Sequence, residues 1–318
     1  MGRRRVRRSI PSAIPVLALL LATACTAARP RPAAPPSRSA IDAAVGAGAR
    51  LCGCRIGVAA RHLESGLAYE HDAGDTFEAA SVIKIAVLTE AMAGVREGSI
   101  DLAERWTLTS PGKASESGWL KLFDPGLNPT WNDMLTLMIG PSDNTATNAW
   151  IERLGIDRIN ARMESLGFSH IRLLSLLPWL DETAPGPRWK GLKFGSVTPR
   201  EVAEWLARVA RGELLDAESS RRMFQYLEAS PSRSRLARRF SSSALWAGKT
   251  GTMSGVRNDS GILRTEKGRF VLVVLTDGSS NAQENAVTHP ATVAMGEIAR
   301  AIVDEWSRNL PDVAGEPK

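Results

Sequence analysis

Metal-ligating side chains are scarce in this chain. The four histidines, His62, His71, His170 and His289, are scattered without ligand spacing. Of three cysteines, Cys52 and Cys54 make one close pair with no second pair to complete a zinc site. No metal and no other cofactor is therefore expected. Cys52 and Cys54 also stand too close for a comfortable disulfide, so buried thiols on a strand are expected, although export would leave them open to oxidation. Acidic residues are absent from the first 39 positions, which hold eight arginines. The net charge of +6 is therefore a property of the leader. From residue 40 onward 32 basic residues face 34 acidic ones, which excludes the basic footprint of a nucleic-acid binder. Long apolar runs are missing too: Ile14 to Ala24 is too short to cross a bilayer as a helix.

What the N-terminus does hold is an arginine-rich n-region, that short apolar stretch and Ala22-Thr23-Ala24. Residues 1–24 therefore read as a signal peptide. Arg7-Arg8-Ser9-Ile10 fits either twin-arginine export or an ordinary basic n-region. Leu21 to Cys25 resembles a bacterial lipobox with Ala22 in place of leucine, so membrane attachment through a lipidated Cys25 and free export both remain open. Residues 25–39 form a proline-rich tether, with four prolines between Thr26 and Ser39. The expected location is outside the cytoplasm, periplasmic or secreted.

The remaining chain, residues 40–313, is long enough for one domain of two intertwined lobes. Cys54 to Ala60 and the run from Leu67 flank Glu64-Ser65-Gly66 as a hairpin. From Ser81 to about Leu227 the pattern is helical. One helix begins at Pro129-Thr130 and stops at Gly140-Pro141, another runs from Asp143 to Leu154, and a third opens at Pro199. Strands return at Leu245 to Lys249, Ser260 to Arg264 and Phe270 to Thr276, before an amphipathic helix from about Pro290 to Ser307. The expected fold is α/β (α+β): one antiparallel sheet built from both termini, residues 40–76 and 240–310, with an all-helical lobe, residues 77–239, inserted between them. A cleft between the lobes would hold the site.

Ser81 and Lys84 lie one helical turn apart in SVIKIAVLTEAMAGV, a segment apolar on nearly every side. Burial would push the lysine toward its neutral amine, which can take the serine's proton. An S-x-x-K alone occurs about once by chance in a chain of this length, and Ser110/Lys113 is such a decoy in a polar loop. Two further segments change the weight of the pair. Ser142-Asp143-Asn144 follows the Gly140-Pro141 break, where Ser142 could simply cap the next helix. Lys249-Thr250-Gly251 closes the strand from Leu245, where a surface lysine before a turn is the plain alternative.

Together, S-x-x-K, S-D-N and K-T-G in this order resemble the signature of class A β-lactamases and penicillin-binding proteins. The gaps of 61 and 107 residues, Asp143 to Asn148 and Thr198-Pro199 are similar as well. The resemblance covers roughly residues 42–307 and implies a β-lactamase/transpeptidase-like fold and acyl transfer through Ser81. It implies Lys84 as base, Ser142 as proton relay to the leaving nitrogen, and Asn144 on the substrate amide. Lys249 and Thr250 would face the substrate carboxylate, and Gly251 would let the backbone lie close to the ligand. The N–H groups of Ser81 and Thr252 would form the oxyanion hole. Arg257 is either a carboxylate-binding arginine or half of an Arg–Asp surface pair with Asp259. Trp119 is either an aromatic at the cleft mouth or a core residue.

The chain departs from the family at the deacylation loop. Class A enzymes carry Glu-x-x-Leu-Asn there, whereas this chain has Leu180-Asp181-Glu182-Thr183 and no asparagine between Asn160 and Asn258. Glu182, 17 residues before Pro199, is the expected deacylating base, with Asp181 as substitute. Three readings stay open: a class A-like β-lactamase or related serine hydrolase, a peptidoglycan D,D-peptidase, and a penicillin-binding module that stays acylated. The expected partner is a small β-lactam or a peptidoglycan peptide, with no nucleic acid, and a monomer is expected.

Overall fold

In a computed structural model of the chain, residues 1–2, 38–110, 113–114, 117–176, 194–279 and 286–313 are described. Met1–Pro35 and Pro36–Lys318 are separate units, and the fold below is that of the second. Cys25, nearly all of the leader, Asp181 and Glu182 lie outside the described residues.

Strand β1 (Arg55–His62) and strand β2 (Ala68–His71) form the N-terminal hairpin. Strands β6 (Leu245–Met253), β7 (Val256–Thr265) and β8 (Gly268–Asp277) come from the other end of the chain. β1 pairs antiparallel with β8, so the sheet runs β2-β1-β8-β7-β6 and unites both termini. Both faces of this sheet are covered, which is why β1 and β8 are almost continuously apolar. On one face, Val58, Leu272 and Val274 pack with helices α1 (Arg38–Cys52) and α8 (Pro290–Ser307). On the other, Ala59, Val271, Val273 and Leu275 join the core of the helical lobe.

That lobe is built around α2 (Lys84–Arg96), whose residues from Lys84 to Gly94 are all buried. Around it stand α3 (Trp131–Ile139), α4 (Asn144–Leu154), α5 (Ile156–Ser165), α6 (Pro199–Arg211) and α7 (Ala217–Glu228). Their boundaries follow from local chemistry. Thr130 and Asp133 make a reciprocal capping box on α3. Thr198 caps α6, with Pro199 in its first turn. A small sheet, β3 (Phe77–Glu78), β5 (Gly195–Val197) and β4 (Arg172–Leu173), leads the chain into the lobe.

The mixed α/β architecture matches the expected fold, with differences in detail. Helix α1 starts at Arg38, inside the segment read as tether, because Ile41 and Val45 face α8 with full burial. Ser81 does not open the long helix. It lies in a 3-10 turn, Ala80–Ile83, and α2 begins at Lys84. Strand β6 continues past Lys249 to Met253, since β7 pairs with it over its whole length. Asp143, not Ser142, caps α4. Cys52 and Cys54 form a disulfide rather than a pair of thiols. Gly53, with φ +58°, turns the chain between α1 and β1 and brings their Cα atoms to 5.1 Å, within bridging range.

Candidate active site

The 3-10 turn carrying Ser81 sits between the sheet and the helical lobe. Its approach is tight: Ala80, immediately before Ser81, has φ +44°, a left-handed conformation that costs a non-glycine residue about 1–2 kcal/mol. Asn258 of β7 holds the preceding carbonyls, donating from Nδ2 to Glu78 O at 2.8 Å and Ala79 O at 3.2 Å. Strand β6 passes so close that a Cβ on Gly251 would lie 2.8 Å from Ala79 O and 3.2 Å from the Ser81 nitrogen. Only glycine permits that approach.

One turn on, the Lys84 side chain is completely buried. Its Nζ donates to Ser142 O at 2.7 Å, Ser142 Oγ at 3.1 Å and Asn144 Oδ1 at 2.8 Å. Desolvation, reinforced by the nearby Lys249 charge and opposed by Asp143, holds its pKa well below the usual lysine value. Lys249 is 1% exposed and reaches the same hydroxyl, Nζ to Ser142 Oγ at 3.0 Å. Burial and the Arg235 charge lower its pKa to about 7, against the opposing pull of Asp259.

Ser142 faces these amines because its backbone is left-handed, φ +63°, so it leaves the capping task to its neighbour. Asp143 accepts from Ala146 N at 2.9 Å through one oxygen. Through the other it accepts from Trp119 N at 2.6 Å and Leu120 N at 2.8 Å. One carboxylate thus starts α4 and anchors the loop that bears Trp119. Trp119 is 57% exposed, and Leu122 and Phe123 nearby in the chain are exposed too, which rules out its core reading.

The structure therefore brings Lys84, Ser142, Asn144 and Lys249 into one hydrogen-bonded cluster, with Ser81 on the turn just before Lys84 and Thr250 and Gly251 on the bordering strand. Arg257 does not join it. Thr252 pairs with Arg257 and Gly251 with Asn258, so side-chain alternation turns Arg257 to the sheet face opposite Asn258. There it is fully buried and donates from Nη1 to Met253 O at 2.8 Å and Val256 O at 2.6 Å. Asp259 is also buried, so the surface-pair reading fails as well.

Arg235, by contrast, lies against Gly251 and Thr252 of β6. It donates from Nη1 to Gly251 O at 2.8 Å and Asn258 O at 2.6 Å, and from Nη2 to Thr252 Oγ1. It stands just before the 3-10 turn Leu236–Arg239, whose Leu236 N–H donates to Asp259 Oδ2 at 3.0 Å. Nothing in Arg233-Ser234-Arg235 marks this contact, because it depends on a turn folded against β6.

A family model described as the beta-lactamase enzyme family matches residues 37–306. The chain belongs to the beta-lactamase enzyme family. Among solved structures of this fold, the β-lactamase of Sphaerobacter thermophilus DSM 20745 is 29% identical, covering 84% of this chain and 96% of that one, with a TM-score of 0.75. A point mutant of PBP-A, solved as its acyl-enzyme complex with penicillin G, is 25% identical over 86% of this chain and 100% of its own, with a TM-score of 0.72. The β-lactamase regulatory protein BlaB of Streptomyces cacaoi is 25% identical over 273 residues, 71% of this chain and 86% of BlaB. This β-lactamase-family chain is thus similar to enzymes, to a penicillin-binding protein and to a regulator.

Proposed function

We propose that this protein is an exported serine hydrolase that opens β-lactam amide bonds through an acyl-enzyme on Ser81. The observation that carries this reading is the buried Lys84 amine held between Ser142 and Asn144, one turn from the serine. In its neutral form Lys84 keeps N–H donors for Ser142 O and Asn144 Oδ1 and has a lone pair for the Ser81 hydroxyl proton. Ser81 Oγ then bonds to the carbonyl carbon, with the oxyanion on the N–H groups of Ser81 and Thr252. As the C–N bond breaks, Ser142 passes its proton to the leaving nitrogen and regains one through the bridging amines. Asn144 orients the substrate amide, and Trp119 covers the cleft mouth. Lys249, Thr250 and Arg235 receive the substrate carboxylate, Arg235 replacing Arg257 in that task. Water, activated by Glu182, releases the product acid.

A second reading has specific support. Without asparagine between residues 160 and 258, the water-holding pair of class A enzymes is incomplete. PBP-A and BlaB are among the similar proteins. A D,D-peptidase, or a module that acylates and stays acylated, would need only the acylation half of the site. A chromogenic cephalosporin separates these outcomes. Steady turnover that disappears in Ser81→Ala supports the lactamase, whereas a stoichiometric burst followed by a stable adduct favours the second reading. Export, with lipidation at Cys25 or without it, belongs to the same proposal and is read by fractionation and by mass of the mature N-terminus.

A further inference from the structure

Glu78 is a carboxylate where the fold has no evident need of one. It lies in β3, three residues before Ser81, and is 5% exposed. Its Oε1 accepts from the N–H of Ala80 at 3.2 Å, of Phe194 at 3.3 Å and of Gly195 at 3.3 Å. The first of these donors belongs to the left-handed residue next to Ser81. The other two lie where the chain enters β5, and Phe194 O accepts from Leu174 N at 2.9 Å. Gly195 also takes the Ala79 N–H at 2.9 Å, so residues 78–80 are gripped from β5 as well as from Asn258.

We propose that Glu78 is a positioning residue: its carboxylate ties the left-handed Ala80 amide to the Phe194–Gly195 strand and so sets the direction of Ser81. The idea rests on the reading of Ser81 as nucleophile and deepens it. A carboxylate suits the task because it only accepts, and one oxygen can serve several N–H groups at once. A left-handed alanine reverts to ordinary backbone once that acceptor is gone, and Ser81 follows it. The Glu78 carboxylate does not touch the reacting atoms. It acts through the turn, so its loss slows the chemical step and leaves substrate affinity alone.

The test compares the full-length protein with Glu78→Ala, Glu78→Asp and Glu78→Gln, using acylation by a fluorescent penicillin and hydrogen exchange of the Ala80 and Gly195 amides. In Glu78→Ala the limiting acylation rate should fall about 10- to 100-fold, with the half-saturating concentration unchanged. The two amides should exchange faster. Glu78→Gln, which keeps an acceptor oxygen in place, should recover to within about threefold of the parent. Should Glu78→Ala not fold, Glu78→Asp carries the comparison: its shortened carboxylate should slow acylation at an unchanged melting temperature. Wild-type acylation rates in Glu78→Ala or in Glu78→Asp overturn the proposal, as do equal losses in Ala and Gln that track melting temperature alone. If the parent takes up no penicillin, it is the functional reading that fails. A fluorophosphonate probe at Ser81 then serves for the same comparison.

Discussion

Lys84 and Lys249 meet across one hydroxyl, their Nζ atoms 3.1 and 3.0 Å from Ser142 Oγ. Two ammonium groups donating to one oxygen would leave two buried positive charges side by side. The pKa of each is lowered, chiefly by desolvation, and Lys249 settles at about 7. In the proposed mechanism the labour is divided: Lys84 serves as the amine, and Lys249 supplies the charge.

That division predicts a pH effect on binding. Lys249 loses its proton in the free protein as pH rises through about 7. The attraction for a substrate carboxylate weakens with it, so KM should climb above about pH 7 while kcat changes less. Steady-state or burst kinetics between pH 6 and about 9 read this split. A KM that stays flat over that range contradicts the assignment of Lys249 to the carboxylate.

Asp259 makes a separate prediction for stability. Burial raises its pKa to about 7, against the pull of Arg235 and of two backbone N–H groups. The folded state therefore holds a proton that the unfolded carboxylate, with its ordinary value of 3.8, has already released. The sign is then fixed: this group's contribution is fully present below the unfolded pKa and is lost as pH rises toward about 7. Glu64, Glu70, Asp216 and Glu218 have lowered values and act in the opposite direction at more acid pH. Between about pH 5 and 7, melting temperature should fall more steeply in the parent than in Asp259→Asn. Parallel curves count against a buried neutral acid.

The reassignment from Arg257 to Arg235 is directly testable. Arg235→Ala should raise KM for a carboxylate-bearing substrate about 10- to 100-fold, the scale of a lost charge-assisted hydrogen bond, and should barely affect the corresponding methyl ester. Arg257→Ala removes a buried donor from the β6–β7 hairpin and should mainly lower the melting temperature. The reverse pattern would restore Arg257 to the cleft.

Gly251→Ala probes the close approach of β6 to the serine turn. The added Cβ meets backbone at 2.8 Å, which no side-chain rotation relieves. Overpacking of this kind costs about 1–3 kcal/mol. Acylation should drop roughly 10- to 100-fold in a protein that still folds. Unchanged acylation shows that the strand can move aside at no cost to the chemistry.

How much of this was legible in the sequence depends on the range of the forces involved. Alternating apolar residues, Pro199 and the Gly140 break are local signals, and the final helix was placed at about Pro290 to Ser307, where it lies. The two-ended sheet followed from the order of strands and helices. The S-x-x-K, S-D-N and K-T-G segments pointed to the cluster through their resemblance to the class A signature. Contacts made across the fold left no such trace. Arg235, Asp259 and Glu78 carry no local signal along the chain and gain meaning only when β5, β6 and the Leu236 turn converge. Arg257 misled because its guanidinium is buried on carbonyls of its own hairpin, Met253 O and Val256 O, which no local pattern announces. The left-handed backbone of Ala80 and Ser142, imposed by tertiary contacts, was likewise invisible.

The most direct test of the central claim is intact-mass spectrometry after brief mixing with a penicillin, followed by peptide mapping. The account predicts one adduct per molecule, of the mass of the opened drug, located on Ser81 and absent in Ser81→Ala and Lys84→Ala. An unmodified parent, or an adduct that persists in Ser81→Ala, contradicts it.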